Sequence, residues 1–146
     1  MAQVRQAEAN WSGDLLAGGG SVTATSSGIF SDQAITWRAR TEASEGKTSP
    51  EELIAAAHAT CFSMELAHTL AEAGTPPDEL STDATCTFAQ VEGGFRIASM
   101  VLSVKGRVPA LDAAGFSAAA AQAKDGCPVS GALKGNVTVS VSAELV

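Results

Sequence analysis

Cys61 and Cys127 are the side chains of this 146-residue sequence best placed for covalent chemistry. Cys61 lies in the run SPEELIAAAHATCFSM (Ser49 to Met64), and Cys127 follows Lys124-Asp125-Gly126 and opens CPVSGAL. A thiol reacts as its thiolate, and each setting offers a reason for one to form. Cys127 stands where a helix N-cap would be, with Pro128 at the first helical position. Unsatisfied N–H groups and the positive dipole end lower a thiol's pKa there. On that ground Cys127 is the more acidic of the two, the bland alternative being a cysteine in place of a serine cap. Cys61 has His58 one helical turn earlier, which permits a Cys–His pair. The bland alternatives are a packed core histidine and a buried structural cysteine. The residues alone leave both readings open. One thiol to attack and one to resolve are the minimum equipment of a thiol redox enzyme.

The third cysteine, Cys86, sits in Thr85-Cys86-Thr87-Phe88 with no charged neighbour and reads as packing. No C-x-x-C occurs and only two histidines are present, so redox chemistry is favoured over a zinc site. No G-x-G-x-x-G, P-loop, H-E-x-x-H or G-x-S-x-G is present, and no cofactor is expected. A thiolate that attacks a peroxide needs a fixed cation, held in turn by a carboxylate. Arg40 and Glu51 would supply such a pair. Solvation of a sheet surface and a first-turn acid are the bland readings of these two.

The elements that must position these groups read as α+β. Ala7, Ala9 and Trp11 alternate with polar residues as in a half-buried strand, Gly18-Gly19-Gly20 marks a turn, and Ser21 to Ser26 suits a second strand. Ala34 to Glu42 alternates again, which would put Arg38 and Arg40 on one face of one strand. A long helix then starts at Ser49-Pro50-Glu51-Glu52, where Ser49 and Glu52 have capping-box spacing. Leu53, Ala57, Cys61, Met64 and His68 fall near one face of it. Gly74 and Pro76-Pro77 end it after about 24 residues, roughly 36 Å, a length that suits a central spine. Ser81 to Gln90 and Phe95 to Arg107 form a hairpin around Gly93-Gly94. Leu111 to Ala123 is helical, a short helix runs from Pro128 to Leu133, and Val137, Val139, Val141 and Ala143 line a closing strand.

Hydrophobic residues make up 45% of the chain, enough for the core of one domain over residues 1–146. A net charge of −7 repels phosphate backbones and argues against nucleic-acid binding. No run of 18 apolar residues exists, so no membrane span is expected. MAQVRQAEANW lacks the apolar stretch of a signal peptide, which points to the cytoplasm, where a permanent structural disulfide is not expected.

The segments PEELIAAAHATCFSM and GCPVS, with Cys61 and Cys127 66 residues apart, resemble the OsmC/Ohr family of osmotically inducible and organic hydroperoxide resistance proteins, and the OsmC branch most. The similarity runs from Trp11-Ser12-Gly13-Asp14 through Asp78 and Phe95 to Cys127-Pro128-Val129-Ser130. The resemblance implies antiparallel sheets with a long central helix in an intertwined homodimer, its active sites at the subunit interface. It also implies a thiol peroxidase that reduces organic hydroperoxides and, less effectively, hydrogen peroxide. By the same resemblance Cys61 is the peroxidatic cysteine and Cys127 the resolving one, with Glu51 and Arg40 as the acid and arginine of the site. Arg38 stays open as the alternative arginine. A dithiol reductant, in the family often a lipoylated protein, restores the thiols. This assignment reverses the electrostatic ranking of the two sulfurs, and Arg40 is the group expected to activate Cys61.

Glu51 and Cys61 are ten residues apart on one helix, roughly 15 Å along its axis. A composite site, with Glu51 supplied by the partner subunit, is one expectation; a bridging Arg40 is the other. The reading from a different class is a non-catalytic dimer that binds a hydrophobic ligand and whose cysteines are vestigial.

Overall fold

Three short strands open the chain: β1 (Glu8–Ser12), β2 (Gly19–Thr23) and β3 (Gln33–Ile35) form an antiparallel sheet in that order. In the computed structural model, which describes residues 1–146, they belong to a compact unit of Met1–Leu53, and Ile54–Val146 form a second. Two sequence expectations change here. β1 is exposed at every residue instead of half-buried. Alternation says which side chains share a face; it does not supply a layer to cover that face. The turn also lies earlier than the glycine triplet. Asp14 Oδ1 accepts from the N–H of Leu16 at 2.9 Å and of Ala17 at 2.8 Å, an Asx turn, while Gly19 and Gly20 are already in β2.

The largest correction concerns Ala34 to Glu42. Only Gln33–Ile35 is extended, and Trp37–Thr41 is a short helix, α1. Thr36 is its N-cap, with Oγ1 accepting from Ala39 N–H at 3.1 Å. Arg38 pairs one turn on with Glu42, Nε to Oε2 at 3.0 Å. Six alternating residues could not outweigh a cap and an i,i+4 pair. The change matters because residues two apart share a face of a strand but lie about 200° apart around a helix. Arg38 and Arg40 therefore point in different directions.

The long helix α2 spans Pro50–Glu72, 23 residues, close to its expected length. Ser49 Oγ accepts from Glu52 N–H at 3.1 Å, as a capping box requires, but the Glu52 carboxylate accepts from Thr48 Oγ1 at 2.6 Å instead of closing the box. At the far end Gly74 adopts φ +75°, and Thr75 N–H reaches back to Leu70 O at 2.9 Å, a Schellman-type stop. The buried stripe is His58, Phe62, Leu66 and Leu70. The expected stripe is thus displaced: Ala57, Met64 and His68 are exposed. An Ala-rich helix is apolar nearly all round, so the large side chains, Phe62 with the leucines, decide which face goes in.

In the second unit β4 (Glu79–Val91) and β5 (Gly94–Arg107) form the expected hairpin, with a bulge at Thr87/Phe88. Along β5, Met100, Leu102 and Val104 are buried, as alternation requires. The α3 helix (Ala113–Gly126) and α4 (Pro128–Leu133) follow; Asp112 Oδ1 caps the first by accepting from Gly115 N–H at 2.8 Å, and Cys127 stands at the N-cap position of the second without a side-chain cap bond. The closing strand β6 (Thr138–Leu145) lies beside β5 but runs parallel to it, the one parallel pairing in otherwise antiparallel sheets. Phe62, Leu66 and Leu70 of α2, Leu102 and Val104 of β5, and Phe116, Ala120 and Ala123 of α3 make the core, and Cys127 belongs to it.

Candidate active site

The structure places the four sequence-predicted residues as two preformed pairs, one in each unit. In the first unit, α1 aims Arg40 at Glu51 in the first turn of α2. Arg40 Nε donates to both carboxylate oxygens at 3.1 Å, and Nη2 donates to Oε1 at 2.8 Å. The Glu51 side chain is only 9% exposed and that of Arg40 29%, so solvent screens this pair poorly. The guanidinium also lies over Trp37, with Cζ 5.8 Å from the ring centroid. Arg38 goes elsewhere, to Glu42 and to Glu45 at 3.6 Å, and is largely exposed. Of the two arginines, Arg40 is the one that Glu51 holds. The pair borders a cavity of about 320 Å³ whose walls include Trp11, Leu15, Ile35, Trp37 and Pro50. Sequence patterning gave no sign of this cavity, because its lining comes from three separate stretches of chain.

In the second unit, α2 and the start of α4 bring the Cys61 and Cys127 sulfurs close enough to interact. Cys61 is partly exposed, whereas Cys127 is 1% exposed. Burial pushes the Cys61 thiol up, and the Cys127 sulfur and the Glu65 carboxylate push the same way. Against them the backbone N–H of Val129, in the first turn of α4, donates to Cys61 and pulls it down. The helix start expected to serve Cys127 thus serves the sulfur facing it. Sequence reasoning missed both Val129 and Glu65. The available signal was the i,i+4 spacing of Cys61 and Glu65.

Glu65 is held close by a glycine. A Cβ on Gly126 would stand 2.8 Å from Glu65 Oε1, so any larger residue there displaces the carboxylate. Removing its charge lets the Cys61 thiol ionise more easily. Glu65→Gln is therefore expected to move the pH profile of Cys61 alkylation towards lower pH, with a severalfold gain at neutral pH at most. Iodoacetamide labelling located by mass spectrometry checks it; an unmoved profile removes Glu65 from the electrostatics of the thiol.

His58 was expected either as a packed histidine or as a partner of Cys61. It is fully buried, and its Nε2 shares a 2.8 Å hydrogen bond with Ser130 Oγ. Cys86 sits in β4 opposite Met100, as a packing residue would.

A family model described as OsmC-like protein matches residues 42–142, a span that holds Glu51, Cys61 and Cys127. The chain belongs to the OsmC family. Its sequence is 42% identical over 135 residues to peroxiredoxin OsmC of Escherichia coli (strain K12), covering 92% of this chain and 93% of that one. It is 33% identical over 96 residues to an organic hydroperoxide resistance protein of Xanthomonas axonopodis pv. citri, covering 65% and 66% respectively. Among solved structures, the organic hydroperoxide resistance protein OhrB of Bacillus subtilis superposes with a TM-score of 0.72 at 28% identity over 97% of this chain and 98% of that one. An OsmC protein of Legionella pneumophila shares the fold, with a TM-score of 0.77 at 24% identity over 99% of this chain and 98% of that one. The OsmC fold thus accounts for the helix that carries Cys61 and the crossover that carries Cys127.

Proposed function

We propose that this OsmC-family chain is a thiol-dependent peroxidase that reduces organic hydroperoxides and, less effectively, hydrogen peroxide. The observation that carries the reading is the contact between a partly exposed Cys61 and a buried Cys127, 66 residues apart in sequence. Accessibility favours Cys61 as the sulfur that meets the peroxide, whatever the ranking of acidities.

The cycle needs four groups. The Cys61 thiolate attacks the distal oxygen of ROOH, the O–O bond breaks, and the leaving alkoxide takes up a proton to give ROH. Arg40, held by Glu51, stabilises the thiolate and the developing negative charge. The resulting Cys61 sulfenic acid condenses with the Cys127 thiol, forming a disulfide and releasing water. A dithiol reductant, such as the lipoyl group of a lipoylated protein, exchanges with the disulfide and restores both thiols. The name of the Xanthomonas relative, organic hydroperoxide resistance protein, supports a substrate with an organic group. The working form in this reading is a cytoplasmic homodimer.

The test is a thiol count before and after one equivalent of cumene hydroperoxide, without reductant. Two of the three thiols per chain should disappear, with a Cys61–Cys127 disulfide recovered on peptide mapping. A protein that merely binds hydrophobic ligands in a cavity of this kind would keep all three, and that result ends the proposal.

A further inference from the structure

The peroxidase reading uses neither His58 nor Ser130, yet they form a buried polar link within the core beside the two cysteines. His58 is 0% and Ser130 8% exposed, and their side chains meet at 2.8 Å. The positions are matched: His58 is one turn before Cys61 on α2, and Ser130 is one turn after Cys127 on α4. Two side-chain contacts therefore join the same two helices about a turn apart, one between the sulfurs and one between imidazole and hydroxyl. The link is costly. His58 Nδ1 is buried without a hydrogen-bond partner, and an unsatisfied buried polar atom disfavours the fold. An apolar pair would fill the space without that penalty. What an apolar pair lacks is direction: it tolerates sliding and rotation, whereas a hydrogen bond of this length does not. Burial also pushes the His58 pKa down, so the imidazole is neutral at physiological pH and no ionic pull contributes.

We propose that the His58–Ser130 hydrogen bond is a positioning device for the resolving step: it fixes the register of α4 on α2 so that the Cys127 sulfur stays in reach of the Cys61 sulfenic acid. His58 and Ser130 touch no reacting atom and are positioning residues. The inference rests on the peroxidase reading, and it assigns these two residues to one step of it. Small misplacements of a reacting pair cost orders of magnitude in rate. A sulfenic acid kept waiting is exposed to a second peroxide, which oxidises it to sulfinic acid and converts ROOH to ROH.

The experiment is a single turnover with one equivalent of cumene hydroperoxide, followed by intact-mass analysis of wild type, Ser130→Ala, Ser130→Thr and His58→Phe. Wild type reports on the parent reading: if it forms no disulfide, the peroxidase proposal fails by itself. If wild type forms one, Ser130→Ala should consume the first equivalent at the wild-type rate. Its disulfide should form at least about tenfold more slowly, and sulfinic acid should build up under excess peroxide. Ser130→Thr keeps the hydroxyl and should resolve near the wild-type rate. Wild-type disulfide kinetics in folded Ser130→Ala overturn the proposal, and so does a Thr variant as slow as the Ala variant, since packing alone would then explain both. If Ser130→Ala does not fold, His58→Phe, which fills the space without a hydrogen-bonding atom, carries the same comparison: slowed resolution supports the device, and an unchanged rate removes it.

Discussion

Cys61→Ser is expected to abolish hydroperoxide turnover, and Cys127→Ser to split the reaction into its halves. A serine hydroxyl is not ionised at neutral pH and is a far poorer nucleophile towards a peroxide oxygen, so loss to background, about a thousandfold or more, is the expectation for the first variant. The second keeps the attacking sulfur. Its first equivalent of peroxide should be consumed normally, but with no neighbouring thiol the sulfenic acid has no partner in the chain and proceeds to sulfinic acid. Burst kinetics with a dithiol donor, paired with mass analysis of Cys61, separate the two outcomes. The opposite pattern, activity in Cys61→Ser and none in Cys127→Ser, would exchange the roles of the sulfurs. That pattern would restore the ranking that the N-cap position of Cys127 suggests.

The second large effect belongs to Arg40 and Glu51. Arg40→Met leaves a carboxylate that is 9% exposed without its three-contact partner, at a cost of about 2–3 kcal/mol in stability, discounted because the arginine itself reaches solvent. Arg40→Lys keeps the charge but not the planar fork, and should recover part of that loss. Activity should fall about a hundredfold in Arg40→Met, the scale of losing one preorganised donor. Stability and activity are separable by the double replacement Arg40→Met/Glu51→Leu. Removing both charges restores most of the stability in urea unfolding, because no buried charge is left unpaired. Peroxidase activity should stay lost. If the double variant regains activity, the pair is scaffolding, and the cation in the mechanism must be sought elsewhere.

What could be read from the sequence depended on how local each signal was. The start and stop of α2, the β4–β5 hairpin and the Cys127-Pro128 helix start rest on capping residues and turn chemistry a few positions apart, and all three stand. The Arg40–Glu51 pair was legible as chemistry, a cation needing a carboxylate. Its geometry was not, because the strand read over Ala34 to Glu42 hid the Thr36 cap. The buried face of α2 was misplaced because alanines give periodicity too little contrast. His58 and Ser130, 72 residues apart in sequence, left no local trace, and only the tertiary fold makes them partners. The same holds for Val129 and Glu65 around Cys61.

The parallel pairing of β5 and β6 has a consequence for how the chain comes together. A hairpin can zip from its turn, but parallel neighbours require the intervening chain to loop across first, and here that loop carries α3, α4 and Cys127. Closing so long an excursion costs entropy before its contacts form, which makes it a late event in folding. Nascent chains that have built α2 and the hairpin but not docked the crossover hold one reactive sulfur with no mate beside it. In the proposed cycle a Cys61 sulfenic acid formed in that interval has no resolving thiol beside it and is open to further oxidation to sulfinic acid, so the speed of the last docking event bears on how much newly made protein keeps a working thiol.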